Sequence, residues 1–229
     1  MTLAALRQAV LDANLATVQH GLVKATFGNA SGIDRASGRI AIKPSGVPYD
    51  DMTPDHMVIT DLDGGTLDNR YRPSSDLDTH LVLYRAFPTI GAIIHTHSTY
   101  ATIMAQARRP IPPLGTTHAD YFHGTIPVTR DLTPEEITTR YVESTGEVIV
   151  ETVGAGDPLA IPAVLVAGHG PFVWGRDPEE AVLNALILEE VAKMAWHGAA
   201  LDASPPPISQ ALLDRHFLRK HGANATYGQ

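Results

Sequence analysis

An α/β sandwich in a single domain, residues 1–229, is the fold this sequence predicts. Three observations carry that expectation. Segments with apolar residues at helical spacing alternate along the chain with short apolar runs of strand length. A chain of 229 residues is long enough to bury one sizeable core. No repeat or low-complexity segment interrupts it, and the Pro205-Pro206-Pro207 break only sets off a last helix.

Composition narrows the chemistry. The chain is 44% apolar and 18% charged, as in ordinary globular proteins, with net charge −8 from 25 acids and 17 bases. That excess of acid argues against nucleic acid or an anionic membrane as the main partner, while a local basic cluster leaves an anionic small molecule open. Without cysteine, disulfides and thiolate metal sites are excluded, so any metal must sit on nitrogen and oxygen. Leu3 to Val23 carries Arg7, Gln8, Asp12, Asn14 and His20, which does not read as a signal peptide, and no apolar run reaches membrane-spanning length. A cytoplasmic enzyme is the expectation.

In chain order, Leu3, Leu6, Val10, Leu11, Leu15 and Val18 predict an opening amphipathic helix that stops near Gly21. The loop Lys24 to Asp34 is rich in Gly, Asn and Ser, which suits either a plain turn or a backbone-lined ligand loop. Arg39 to Lys43 alternates as a strand and runs into Pro44-Ser45-Gly46, a strand end whose lysine and free N–H groups also suit a phosphate. Met57 to Thr60 is a second strand, with a turn at Asp61 to Gly65 into a hairpin partner. Ser74 or Ser75 caps the next helix, with Asp76 and Asp78 in its first turn and Leu77, Leu81, Leu83, Tyr84 and Phe87 on its apolar face. The same helix start can seat a phosphate.

Ser98 caps a helix through Gln106, and Thr133-Pro134-Glu135-Glu136 is a capping box with proline at the first helical position. Gly146 to Val153 reads as a turn-to-strand passage, and Pro162 to Gly175 as a hairpin with His169 between two glycines. Asp177 opens a long helix predicted to bury Val182, Leu183, Leu186, Ile187, Val191, Met194 and Ala195. A final helix runs from Ile208 to about His221.

The centre of the pattern is Gly91 to Ser98. On an extended strand His95 and His97 project to one side about 6–7 Å apart, suited either to two hydrogen-bonded histidines or to two imidazoles on one metal ion. With His169, three strand-end imidazoles and an open position make an arrangement zinc accepts, as do other first-row divalent ions. Asp76 is the nearest candidate for a fourth ligand or for a group that orients a ligand.

Taken together, Gly28-Asn29-Ala30-Ser31, Lys43-Pro44-Ser45-Gly46, Pro73-Ser74-Ser75-Asp76, His95-Thr96-His97, the run Gly115 to Phe122 and Gly168-His169-Gly170 stand in the order found in the class II aldolase/adducin family, which the chain resembles over nearly its whole length. Within that family it is most similar to the epimerase branch, which the C-terminal Leu218 to Ala223 and Tyr227-Gly228-Gln229 also resemble. The resemblance implies a three-layer α/β/α sandwich with a central, mostly antiparallel sheet. It implies zinc on His95, His97 and His169, with Asp76 in or beside the coordination shell. Gly28, Asn29, Lys43, Ser45, Gly46, Ser74, Ser75 and Thr116 would hold a phosphorylated ketopentose.

Asp120 and Tyr227 would be an acid–base pair, supplied by the neighbouring subunit of a homotetramer. The implied reaction interconverts L-ribulose 5-phosphate and D-xylulose 5-phosphate by cleaving and re-forming C3–C4 through a zinc-bound enediolate. Both arabinose and ascorbate breakdown use such an activity, and the residues do not choose between them. Two other readings compete: a fuculose- or rhamnulose-phosphate aldolase, whose relatives carry glutamate where Asp76 stands, and a non-catalytic adducin-like module, which lacks the histidine set.

Overall fold

A computed structural model describes residues 1–67, 70–222 and 225–226. Six strands, β1 (Asn29–Asp34), β2 (Arg39–Ile42), β3 (Val58–Thr60), β4 (Ala92–His95), β5 (Ala163–Leu165) and β6 (Pro171–Gly175), form one sheet in the order β3-β2-β1-β4-β6-β5, and each of these pairings is antiparallel. The helices are α1 (Leu3–Gln19), α2 (Leu77–Ala86), α3 (Thr99–Gln106), α4 (Thr116–Ala119), α5 (Pro134–Thr139), α6 (Tyr141–Val153), α7 (Pro178–Leu201) and α8 (Gln210–His221). None of the described helices is long and apolar enough to cross a membrane.

Both faces of the sheet are covered, so β2, β4 and β6 are buried almost along their whole length. Alternation survives underneath. Ala92 and Ile94 of β4 pack with α3 and α7, whereas Ile93 packs with α2 and α6 beside Phe172 and Trp174 of β6. Helix α1 covers β2 and β3 through Leu6, Val10 and Leu11. The architecture is therefore the expected three-layer α/β/α sandwich.

Local signals behave as their chemistry dictates. In the Thr133 capping box, Thr133 Oγ1 accepts from Glu136 N at 3.2 Å and a Glu136 carboxylate oxygen accepts from Thr133 N at 2.7 Å. Asp177 caps α7 by accepting from Glu180 N at 2.8 Å.

Several expectations need correction. Residues 146–153 are the second half of helix α6, not a strand. The β-branched run there fills a helix face, because Gly146 lets α6 close on Val82 of α2. The cap of α2 is Asp76 rather than Ser74 or Ser75, and its side chain is turned away from the helix toward Asn29. Among the described residues after the Asp61 turn no strand follows, only an isolated bridge from Thr60 to Thr66. On α7, Leu183 and Met194 are exposed, while Ala181, Ala185, Leu188 and Ala192 complete the buried face. Small residues turn inward there because α7 lies close against α3 and β6.

Candidate active site

The sheet register assembles the centre. Asn29 on β1 faces His95 on β4, and His95 faces Phe172 on β6, all at one end of the sheet. His95 stacks on the Phe172 ring at 4.2 Å and donates from Nδ1 to Pro171 O at 2.9 Å. That bond fixes its tautomer and leaves the Nε2 lone pair free for a ligand. β4 ends at His95, so His97 lies in the turn beyond, not on the strand. Its Nε2 nevertheless reaches 3.2 Å from His95 Nε2. The β5–β6 turn adds His169, whose ring lies 4.7 Å from His95 and 5.1 Å from His97, centroid to centroid.

One nitrogen from each of the three histidines fits within 4.8 Å of the others. Tetrahedral nitrogens bound to zinc at about 2.05 Å stand about 3.3 Å apart, so the His95–His97 spacing is that of two ligands on one ion. Protonation agrees. Burial pushes His95 down to about 3, and burial also lowers His97 and His169, so three neutral imidazoles are presented at neutral pH. The donor set therefore fits a borderline divalent cation.

Asp76 stands beside this cluster. Its Oδ2 accepts from Asn29 Nδ2 at 2.6 Å and lies 4.0 Å from His95 Nε2. Burial opposes its ionisation, but His95, His80 and the Asn29 amide outweigh burial and hold the carboxyl below its usual range. Behind it, His80 is fully buried, with Nδ1 2.7 Å from Ser31 Oγ, which lies 2.7 Å from Tyr84 Oη.

Away from the histidines the same cavity, about 320 Å³, becomes cationic and hydroxyl-rich: Gly28, Asn29, Lys43, Ser45, Gly46, Ser74 and Ser75 all line it together with Asp76 and the three histidines. Two loops are laced side by side by Ser74 N donating to Lys43 O and Ser45 N to Arg72 O, both at 2.9 Å. Gly28 has φ +91°, and a Cβ there would meet His95 O at 2.7 Å, so this loop admits only glycine. Gly170 answers a similar need: a side chain would strike Thr96 O at 2.8 Å, so the glycine beside His169 allows close packing of the turn rather than ligand access.

Lys43 is only 4% exposed, and its ammonium donates to Pro44 O at 3.3 Å with no carboxylate within ion-pair distance among the described residues. Burial lowers its affinity for the proton. A buried ammonium with one weak acceptor is costly unless an anion joins it.

Neither Thr116, which begins α4, nor Asp120, which ends it, is among the described residues lining the cavity. Asp120 is instead held against α8: His216 Nδ1 approaches its Oδ1 at 2.9 Å, Arg219 donates at 3.0 Å, and Lys220 stands at 3.7 Å. Burial works against its charge, but the His216 and Arg219 hydrogen bonds dominate and keep it ionised. Tyr227 lies outside the described residues.

Two aromatic neighbours were not singled out from sequence. Phe27 stacks nearly parallel on His97 at 5.6 Å, and the Tyr141 hydroxyl sits 3.5 Å from His169 Nδ1. Phe27 directly precedes Gly28, which is a usable signal. Tyr141 had none, because it comes close only once α6 packs on α2.

The fold and site together define a metal-site enzyme scaffold, with an imidazole triad in a cavity also lined by Lys43 and three serines. The chain belongs to the class II aldolase and adducin family: the profile described as Class II Aldolase and Adducin N-terminal domain matches residues 8–196. It is similar to the L-ribulose-5-phosphate 4-epimerase UlaF of Salmonella paratyphi B, 53% identical over 224 residues spanning 98% of each chain, and to the same-named protein of Salmonella typhi at the same identity and coverage. Among solved structures, an L-fuculose 1-phosphate aldolase superposes with TM-score 0.79 at 25% identity, covering 93% of this chain and 94% of that one. The L-fuculose-1-phosphate aldolase of Thermus thermophilus shares the fold, with TM-score 0.68 at 24% identity over 89% of this chain and 100% of that one. The protein is an enzyme of the epimerase or aldolase type, from a metal-dependent family.

Proposed function

We propose that the protein is a cytoplasmic, metal-dependent epimerase interconverting L-ribulose 5-phosphate and D-xylulose 5-phosphate. The observation that carries this reading is that a three-imidazole centre and an unpaired buried ammonium share one cavity. The relatives named L-ribulose-5-phosphate 4-epimerase supply the substrate.

In this reading Lys43, Ser45, Gly46, Ser74 and Ser75 take the phosphate, with Gly28 and Asn29 along the sugar. Asn29 gives its amide N–H to Asp76, and its Oδ1, buried without a partner among the described residues, accepts from a substrate hydroxyl. Thr116 contributes from the α4 side. His95, His97 and His169 hold zinc or another first-row divalent ion, with Asp76 in or beside its shell. Bound there, the ion supplies a Lewis acid for negative charge on substrate oxygens.

C4 bears no acidic hydrogen, but its hydroxyl is β to the C2 carbonyl, so C3–C4 can break by retro-aldol cleavage. The C4 hydroxyl proton passes to a base, C4 becomes an aldehyde, and the electron pair stays with the three-carbon fragment. The aldehyde rotates, presents its other face and re-adds, and an acid protonates the new alkoxide. Lys43 and the serines keep the phosphorylated aldehyde from escaping.

Asp120, already ionised, is suited to the proton-accepting role, with Tyr227 as its counterpart on the opposite face. That Asp120 is not among the described residues lining its own chain's cavity supports donation across an interface, as in a homotetramer with shared sites.

A coupled assay on L-ribulose 5-phosphate tests the proposal. Turnover lost to a chelator and restored by zinc supports it. Free aldehyde accumulating in turnover would instead make the protein an aldolase.

A further inference from the structure

We infer that Tyr49, outside the cavity, is the positioning residue of its anion end, holding both the Lys43 ammonium and the Gly28 peptide in place. The inference rests on the reading of that recess as a phosphate site.

Tyr49 sits in a short 3-10 turn and is 6% exposed, packed with Leu6, Val10, Met52 and Met57. From that anchored position it makes two contacts to cavity residues that are distant in sequence. Its hydroxyl donates to Gly28 O at 2.9 Å, and the Lys43 ammonium stands over its ring, 4.8 Å from the centroid. The first fixes the peptide leading into Asn29, where the φ of +91° at Gly28 aims the chain toward His95. The second holds a cation without neutralising it.

That choice of partner has a chemical consequence. A carboxylate beside Lys43 would hold it more tightly, but it would also repel an incoming phosphate and compete for the ammonium protons. A ring face attracts the cation through its quadrupole and leaves the N–H donors and the full charge to the ligand. Burial strengthens the effect, since a desolvated ammonium gains more from an arriving anion than a hydrated one. Burial also keeps the phenol protonated, so the donor to Gly28 O persists at any working pH. Tyr49 thus ties together the loops that carry Gly28 and Lys43, and roots both in the core beneath α1.

The test uses inorganic phosphate as a competitive inhibitor of the zinc-loaded protein, with zinc affinity measured in parallel. Tyr49→Phe keeps the ring under Lys43 and removes the donor to Gly28 O; it is expected to weaken phosphate by about threefold to tenfold, the worth of one buried hydrogen bond. Tyr49→Leu also removes the ring and is expected to weaken phosphate by about a further tenfold. Zinc affinity should match wild type in both.

Phosphate inhibition unchanged in Tyr49→Phe and Tyr49→Leu overturns the inference, and so does zinc lost in step with phosphate, which would mark general disruption. Should Tyr49→Leu fail to fold, Tyr49→Phe, which removes one oxygen, decides alone. A wild-type protein indifferent to phosphate would sink the anion-site reading itself, a result distinct from any difference between variants.

Discussion

The Nε2 atoms of His95 and His97 lie 3.2 Å apart, although only His95 belongs to a strand. Strand geometry alone would keep the two side chains about 6–7 Å apart. The irregular segment after β4 brings His97 inward, where Phe27 stacks on its ring. The His95 proton is committed to Pro171 O, so its Nε2 lone pair is open to a metal ion or to an N–H from His97. His97→Ala is therefore expected to abolish stoichiometric zinc after dialysis against a weak chelator, with the circular dichroism spectrum unchanged. A variant that keeps one zinc per chain would place the metal elsewhere.

Buried neutral histidines make the metal-free protein acid-sensitive. Burial lowers His80 to about 4 and His95 to about 3, below the ordinary value of 6.5 that the unfolded chain shows. Between those values the unfolded state binds more protons than the folded one, so stability rises with pH. Lowering the pH from 7 to 5 should cost up to about 1.4 kcal/mol per unit for each such histidine once below 6.5. Urea unfolding of chelated protein at several pH values checks this. His80→Gln should flatten the profile, and a stability that does not fall in acid would contradict the burial argument.

Gly146 decides between helix propensity and packing. Alanine in its place should favour an isolated helix by about 1 kcal/mol. Here a Cβ would stand 2.7 Å from Val82 Cβ and 3.1 Å from Thr79 O, where α6 closes on α2. Overpacking of about 1–3 kcal/mol then exceeds the propensity gain. Gly146→Ala should lower the melting temperature by a few degrees, and a rise would show that the two helices separate easily.

The same residue shows where sequence reading stopped. Gly146 and the β-branched residues after it look like a turn and a strand, and only the neighbouring helix α2 shows why a helix needs glycine there. The opening helix, the Thr133 box, the β5–β6 hairpin and the three histidines were legible because their signals are local in spacing or chemistry. Lys43 and the serines, an ordered set in the sequence, do line one cavity with the histidines. Tyr49 and Tyr141 were not legible, because each meets the cavity through tertiary contacts that no spacing encodes.

Lys43 offers a trade between stability and binding. Its buried ammonium has one weak acceptor, so the folded protein without ligand carries an uncompensated charge. Lys43→Met keeps the length and apolar stem while removing that charge. It should leave the ligand-free protein as stable as wild type or more so, and raise KM at least about tenfold, the loss of a charge-assisted contact. Loss of stability with KM unchanged would mean that the ammonium is structural.

Asp120 caps the C-terminal end of α4 and is gripped by His216 and Arg219 of α8, while the cavity is built from the loops of Gly28, Lys43, Ser74 and the histidines. If proton transfer crosses a subunit boundary, no single chain needs both parts intact. Asp120→Asn and His97→Ala are each expected to cut turnover by at least about a hundredfold, the scale on which general acid–base groups contribute. Mixed and allowed to exchange subunits, the two inactive proteins should regain activity, because some boundaries then pair an intact histidine centre with an intact Asp120. Sites confined to one chain cannot be rescued in this way. A mixture that exchanges subunits, shown by mass spectrometry of the assembly, yet stays inactive would confine Asp120 to its own chain or remove it from the reaction.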